Sequence, residues 1–168
     1  MITFYPGPSK VYDSIPKMVK KAHKKGLLSV NHRSLEFQEI YRKAVTLLKN
    51  KLEIPPDYEV YFTSSATECW EIVAQSIIKE RSLHFYNGAF GEKWYSYTER
   101  LRPEANPKAY DLHDLPEIKK YAEDTICITH NETSNGTRVP LETISGLKHA
   151  NPEAVIAVDA TSSLAGQQ

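Results

Sequence analysis

The sequence predicts an α/β fold, a three-layer α/β/α arrangement around a mostly parallel sheet. Three observations predict it. Short runs rich in β-branched and aromatic residues alternate with longer segments of helical period, the order that puts a parallel sheet between helices. Four polar signatures fall where a predicted strand or helix ends, which is where such sheets carry their sites. They are HRSLEF at 32–37, SSATE at 64–68, HNETSNG at 130–136 and VIAVDATSS at 155–163. The length, 168 residues, suits one domain with a real core, burying about 70% of the unfolded surface at this size.

The elements follow in chain order. Residues 14–25 read as a helix stopped by Gly26. Residues 35–50 give the clearest helix, with Phe37, Ile40, Tyr41, Ala44, Leu47 and Leu48 at helical spacing and Ser34 as its N-cap. Pro55-Pro56 punctuates, and Tyr58 to Thr63 reads as a strand. Residues 66–80 read as a helix burying Cys69, Trp70, Val73, Ala74, Ile77 and Ile78. Ser82 to Tyr86 is a strand, Asn87-Gly88 a turn, and a helix is expected near 90–101. Lys108 to Tyr110 reads as a strand, 114–122 as a helix, and Thr125 to His130 as a strand. A helix at 140–149 and a strand from Ala154 to Asp159 complete the order.

Composition excludes some functions. Lys plus Arg and Asp plus Glu are 21 each, so the net charge is zero. That argues against nucleic-acid or membrane-surface binding driven by bulk charge. The basic run from Lys17 to Lys25 reads as a solvated helix face. No apolar run approaches the ~18 residues of a membrane span, and MITFYPGPSK lacks a signal-peptide pattern. The two cysteines, Cys69 and Cys127, sit among apolar neighbours and are expected to be buried, inert thiols. No CxxC or HExxH occurs, so no metal site is expected. The expected setting is soluble and cytoplasmic.

Each signature has two or more readings. SSATE at a strand-to-helix turn suits an anion cradle, because helix N-terminal amides and small hydroxyls favour phosphate; it equally suits plain N-capping by Ser64 or Ser65. No GxxxxGK[ST] or GxGxxG occurs, which removes a P-loop and a dinucleotide fingerprint. Asp159, at the end of Val155-Ile156-Ala157-Val158, could bind Mg²⁺, cap a helix or hold a ring nitrogen protonated. Phe90, after Asn87-Gly88-Ala89, is a core aromatic or a ring that stacks on a planar cofactor. His32-Arg33 before Ser34 suits an oxyanion or a surface ion pair. His130 has no partner cluster and reads as structural.

Taken together, the segments from YPGPSKV at 5–11 to VDATSS at 158–163 resemble the class V aminotransferases, which are fold-type I pyridoxal-phosphate enzymes. The resemblance implies pyridoxal 5′-phosphate as cofactor and assigns roles. Ala66 and Thr67 would bind its phosphate, Phe90 would stack on the pyridine ring, and Thr133 would bond the phenolic oxygen. Asp159, the catalytic residue among them, would pair with the ring nitrogen. His32 and Arg33 match a segment at the substrate mouth. It also implies a homodimer, with the 35–50 helix and the HRS segment near the contact, and small amino-acid and 2-oxo-acid substrates.

The chemistry accounts for these residue types. The cofactor is an electron sink that works best with its ring nitrogen protonated, which a fixed carboxylate secures. A lysine must also bond the cofactor, and in this family it follows the aspartate by roughly two dozen residues. Nine residues follow Asp159 here. The expectation is therefore an N-terminal arm at 1–13 and part of a cofactor-binding large domain at 14–168. The lysine-bearing segment and the small C-terminal domain would lie elsewhere. Three functions remain open at this point: a phosphoserine aminotransferase of serine biosynthesis using 2-oxoglutarate, a serine–pyruvate or alanine–glyoxylate type, and a non-enzymatic α/β binding module.

Overall fold

The computed structural model describes residues 10–166. The chain divides into two compact units, Met1–Tyr61 and Phe62–Gln168. The expected boundary at 13/14 falls inside the first unit. Residues 5–9 of the YPGPSKV segment and 1–9 of the expected arm lie outside the described residues.

The first unit carries α1 (Ile15–Lys24), a short 3₁₀ turn (Leu27–Ser29) and α2 (Leu35–Lys51). Gly26 ends α1 at φ 73°, a left-handed conformation that glycine adopts without steric cost. Ser34 caps α2, its Oγ accepting from the Phe37 amide at 3.2 Å. Glu36 in the first turn and Lys49 and Lys51 in the last match the helix dipole. The Tyr41 hydroxyl donates to the Val60 carbonyl at 2.7 Å, bringing the segment after Pro55-Pro56 back onto α2. The strand expected at Tyr58 to Thr63 is not formed. Its residues have the side chains of a strand, but a strand exists only when a neighbour takes its amides and carbonyls. Among the described residues this segment pairs with no other.

The second unit is built on a four-stranded parallel sheet, order β2-β1-β3-β6. Its strands are β1 (Ser82–Tyr86), β2 (Ala105–Ala109), β3 (Thr125–Thr129) and β6 (Val155–Asp159). The helices are α3 (Ala66–Ile72), α4 (Ala89–Leu101) and α5 (Leu141–Ala150). A hairpin of β4 (Asn131–Glu132) and β5 (Thr137–Arg138) lies between β3 and α5.

Alternation along the strands sorts the core into two faces. Leu83, Phe85, Ile126 and Ile128 pack with Leu147 of α5. Cys127 packs on the other face with Trp70 of α3 and Trp94 of α4. Burial pushes the Cys127 thiol up, so it stays protonated and inert. β1 and β3 are the central strands and are almost wholly buried, whereas β2 and β6 are half-exposed edges. β2 begins at Ala105, three residues before the expected Lys108, and tolerates Pro107 because an edge strand needs only half its amides.

Two helices depart from expectation. The helix begun at Ala66 is α only to Ile72, then widens into a π turn at Val73–Ile77. That turn shifts the buried stripe, so Trp70, Ala74 and Ile78 are buried while Ile77 is 39% exposed. Cys69, expected to be buried, is exposed, with its Sγ 3.2 Å from Thr63 Oγ1. The helix expected at 114–122 is absent. Asn151 takes the Tyr121 amide at 2.7 Å and donates to the Lys119 carbonyl at 2.9 Å, giving that backbone side-chain partners instead of helical ones.

Candidate functional site

Asp159 ends β6 with its carboxylate held from two directions. Oδ1 accepts from the Thr161 amide at 2.9 Å and the Thr161 hydroxyl at 2.6 Å, closing a turn two residues long. Oδ2 accepts from the indole N–H of Trp70 at 3.0 Å. A carboxylate offers about four lone-pair sites, so one further donor can be taken. Trp70 in turn stacks on Trp94, ring centroids 6.1 Å apart at 13°. Asp159 is thus tied to the aromatic layer of α3 and α4. A cavity of about 430 Å³ opens there, lined by Ala66, Cys69, Trp70, Trp94, Asp159 and Thr161 among others. It is apolar except at the strand end, the usual character of a small-molecule site.

The start of α3 borders that cavity through Ala66. Ser65 is its N-cap, accepting from the Glu68 amide at 3.1 Å. Glu68 folds back, and its Oε2 accepts from the Ser64 amide and hydroxyl, both at 2.6 Å. Those two bonds hold the Glu68 carboxyl below its usual range. SSATE therefore does cap a helix. Its Ser64 donors already hold an anion, the side chain of Glu68. The Ala66 and Thr67 amides, first and second in the helix, have no intrahelical acceptor.

Phe90 lies in the first turn of α4, 45% exposed. Thr133 is exposed, and its hydroxyl donates to Ser162 Oγ at 2.8 Å, which donates to the Asn131 carbonyl at 3.2 Å. His130 is buried, with Nδ1 2.9 Å from Ser163 Oγ. Burial, then Arg138, lowers its pKa. The hydrogen bonds bring Phe90, Thr133 and Asp159 to one rim of the sheet. The Phe90 amide donates to Glu132, next to Thr133, and Thr133 meets Ser162, three residues past Asp159.

His32 and Arg33 belong to the first unit. His32 borders a hollow of about 340 Å³ with Phe37, Gln38, Tyr41 and Arg42. Arg33 is exposed, its amide donating to Asn31 Oδ1 at 2.8 Å. It forms no ion pair with any described residue.

Two residues of this rim, Trp70 and Glu132, carry no role in the sequence motifs. Trp70 fits the helical core pattern, yet a buried indole N–H usually finds an acceptor, and here it finds Asp159. Glu132 is 3% exposed and carries a carboxylate. The signal was present in NGAFG, where glycine stands at a helix start that needs a cap from elsewhere.

The family model for aminotransferase class V matches residues 6–85. Over 166 residues the chain is 30% identical to a phosphoserine aminotransferase of Rhodococcus opacus (strain B4), covering 95% of this chain and 43% of that protein. A solved phosphoserine aminotransferase from Cytophaga hutchinsonii matches at TM-score 0.86 and 36% identity, over 95% of this chain and 45% of that one. A pyridoxamine–pyruvate aminotransferase from Mesorhizobium loti, 21% identical with TM-score 0.80, shares the fold.

The fold is thus the mostly parallel α/β fold of the aminotransferases. Residues 6–85 match the class V aminotransferase family, and the chain resembles the phosphoserine aminotransferases over their N-terminal part. It spans less than half the length of the curated relatives it matches, 43% of the Rhodococcus opacus protein. No helix among the described residues is long and apolar enough to cross a membrane.

Proposed function

We propose that this chain is the cofactor-holding part of a pyridoxal-phosphate-dependent transaminase that moves the amino group of phosphoserine to 2-oxoglutarate. The observation that carries the reading is the carboxylate of Asp159. It is fixed by three donors in the lining of a cavity of about 430 Å³, with one lone-pair site left over. The 36% identity to a phosphoserine aminotransferase of the same fold supports the substrate. A serine–pyruvate or alanine–glyoxylate activity is the alternative outcome of the substrate test below.

The residues present fit the cofactor. Asp159 would keep a proton on the pyridine nitrogen. Ala66 and Thr67 would meet the phosphate with their free amides, in competition with the carboxylate of Glu68. Phe90, whose ring is half in solvent, would cover the pyridine face. Thr133 would bond the phenolic oxygen, exchanging its present partner Ser162. Bound there, pyridoxal phosphate supplies the electron sink for the charge left when Cα loses its proton.

His32 and Arg33 would recognise the substrate anion. A guanidinium without a carboxylate partner among the described residues is suited to a dianionic phosphate. The reading assigns the covalent lysine to the length of the relatives that this chain does not span, and it carries with it a homodimer, a cytoplasmic setting and a role in serine biosynthesis. The test is the binding of pyridoxal 5′-phosphate to the full-length protein, followed by quenching of tryptophan fluorescence from Trp70 and Trp94. Saturable quenching that Asp159→Ala weakens is expected; absence of binding would overturn the reading.

A further inference from the structure

Helix α4 has no cap of its own. Its N-cap position is Gly88, which has no side chain to receive the first amides. The cap comes instead from the segment after β3. The Ala89 amide donates to Ser134 Oγ at 2.9 Å, the Phe90 amide to Glu132 Oε1 at 3.4 Å, and the Gly91 amide to Glu132 Oε2 at 3.0 Å. Ser134 closes the clamp, donating its amide to Glu132 Oε1 at 3.0 Å and its hydroxyl to the same oxygen.

Two glycines let the parts approach. A Cβ on Gly88 would stand 2.7 Å from both Glu132 Cδ and Ser134 Oγ, and one on Gly91 would stand 2.7 Å from Tyr86 Cβ. Asn87 and Asn135 extend the tie, the Asn135 side-chain amide donating to the Asn87 carbonyl at 2.8 Å. Burial, then the Glu132 charge, pushes the phenol of nearby Tyr110 up to about 12.

The register of this clamp is specific. Phe90 sits between two held residues, Ala89 and Gly91. Thr133 sits between the two residues that hold them, Glu132 and Ser134. Glu132 accepts four hydrogen bonds, which fills the roughly four lone-pair sites of a carboxylate. We propose that Glu132 is a positioning residue, which sets the Phe90 ring and the Thr133 hydroxyl in a fixed register at the cofactor site. The inference rests on the cofactor reading above.

A cap that only stabilises α4 would act equally whether or not Phe90 carries a ring. A positioning residue acts through that ring, so the two roles separate in a double-mutant cycle. The experiment uses the full-length protein, wild type and Glu132→Gln, each with Phe90 or with Phe90→Ala, titrated with pyridoxal 5′-phosphate. Glutamine replaces one acceptor oxygen with an NH₂ facing the Gly91 amide, which breaks the register. Thermal midpoints without cofactor are measured alongside.

The expected result is that Glu132→Gln weakens cofactor binding about tenfold with Phe90 present and about threefold or less with Phe90→Ala, while the midpoint falls equally in both backgrounds. Equal loss of affinity in both backgrounds, or no loss, overturns the proposal. If Glu132→Gln fails to fold, Ser134→Ala replaces it, since it spares the carboxylate and its backbone bonds. It is expected to weaken binding about threefold, again only when Phe90 is present, and additivity or no change would count against the clamp. If wild type does not bind pyridoxal phosphate, the cofactor reading fails and this inference with it. If wild type binds and the variants bind as well, only this inference fails.

Discussion

The indole nitrogen of Trp70 lies 3.0 Å from Oδ2 of Asp159, joining residues 89 apart in the chain. One bond therefore links the first helix of the second unit to the end of its last strand. Trp70→Phe removes the donor while keeping a ring to stack on Trp94. A hydrogen bond to a charged group is worth about 1.5–3 kcal/mol, discounted here because Asp159 is only half-buried. The expected effect is a loss of about 1 kcal/mol in urea denaturation of the full-length protein, with the slope unchanged. A midpoint identical to wild type would mean that the bond contributes nothing.

His84 gives the fold a pH dependence. It is 1% exposed between Ser82, Trp94 and Tyr95, and burial lowers its pKa to about 4 from 6.5. Between those values the unfolded chain binds a proton that the folded one refuses. Its contribution is complete above about pH 6.5 and is lost as pH falls towards 4, by on the order of 3 kcal/mol. Denaturation series at pH 7 and pH 4.5 should differ accordingly, and His84→Gln should flatten most of the difference. Some slope should remain, because burial lowers His130 in the same direction. A wild-type stability that is flat over this range would contradict the assignment.

Arg33 tests the substrate. If its guanidinium meets the phosphate of phosphoserine, Arg33→Ala should cost phosphoserine more than serine or alanine. The differential in kcat/KM should be on the order of 1.5–3 kcal/mol, the worth of a charge-assisted hydrogen bond. Kinetics on all three amino donors measure it. A wild type that prefers alanine or serine, or a variant that slows all three equally, would replace the phosphoserine reading with the serine–pyruvate or alanine–glyoxylate one.

The central sheet was legible because its strands are short, apolar and bounded by turn residues. Ser82–Tyr86 falls as expected, and β3 and β6 do so within a residue. What failed was whatever depended on a distant partner. Tyr58 to Thr63 has strand residues without a neighbouring strand. Residues 114–122 have helical composition, but Asn151 draws their backbone away. The site divided the same way. Asp159 was visible as a carboxylate after four apolar residues, and SSATE as a helix start. The bond from Trp70 and the clamp of Glu132 on α4 join segments tens of residues apart, and local pattern does not reveal which donors and acceptors meet.

Asp159 is the residue on which the cofactor chemistry would turn. The direct measurement is amino transfer from phosphoserine to 2-oxoglutarate by the full-length protein with pyridoxal 5′-phosphate, wild type beside Asp159→Ala. If the carboxylate faces the ring nitrogen, its removal would take away the charge that keeps that nitrogen protonated. Transfer by wild type is expected, with a rate lower by at least about 10²-fold in the variant and the fold retained by circular dichroism. No transfer by wild type would overturn the transaminase reading, and a variant within about twofold of it would overturn the role of Asp159.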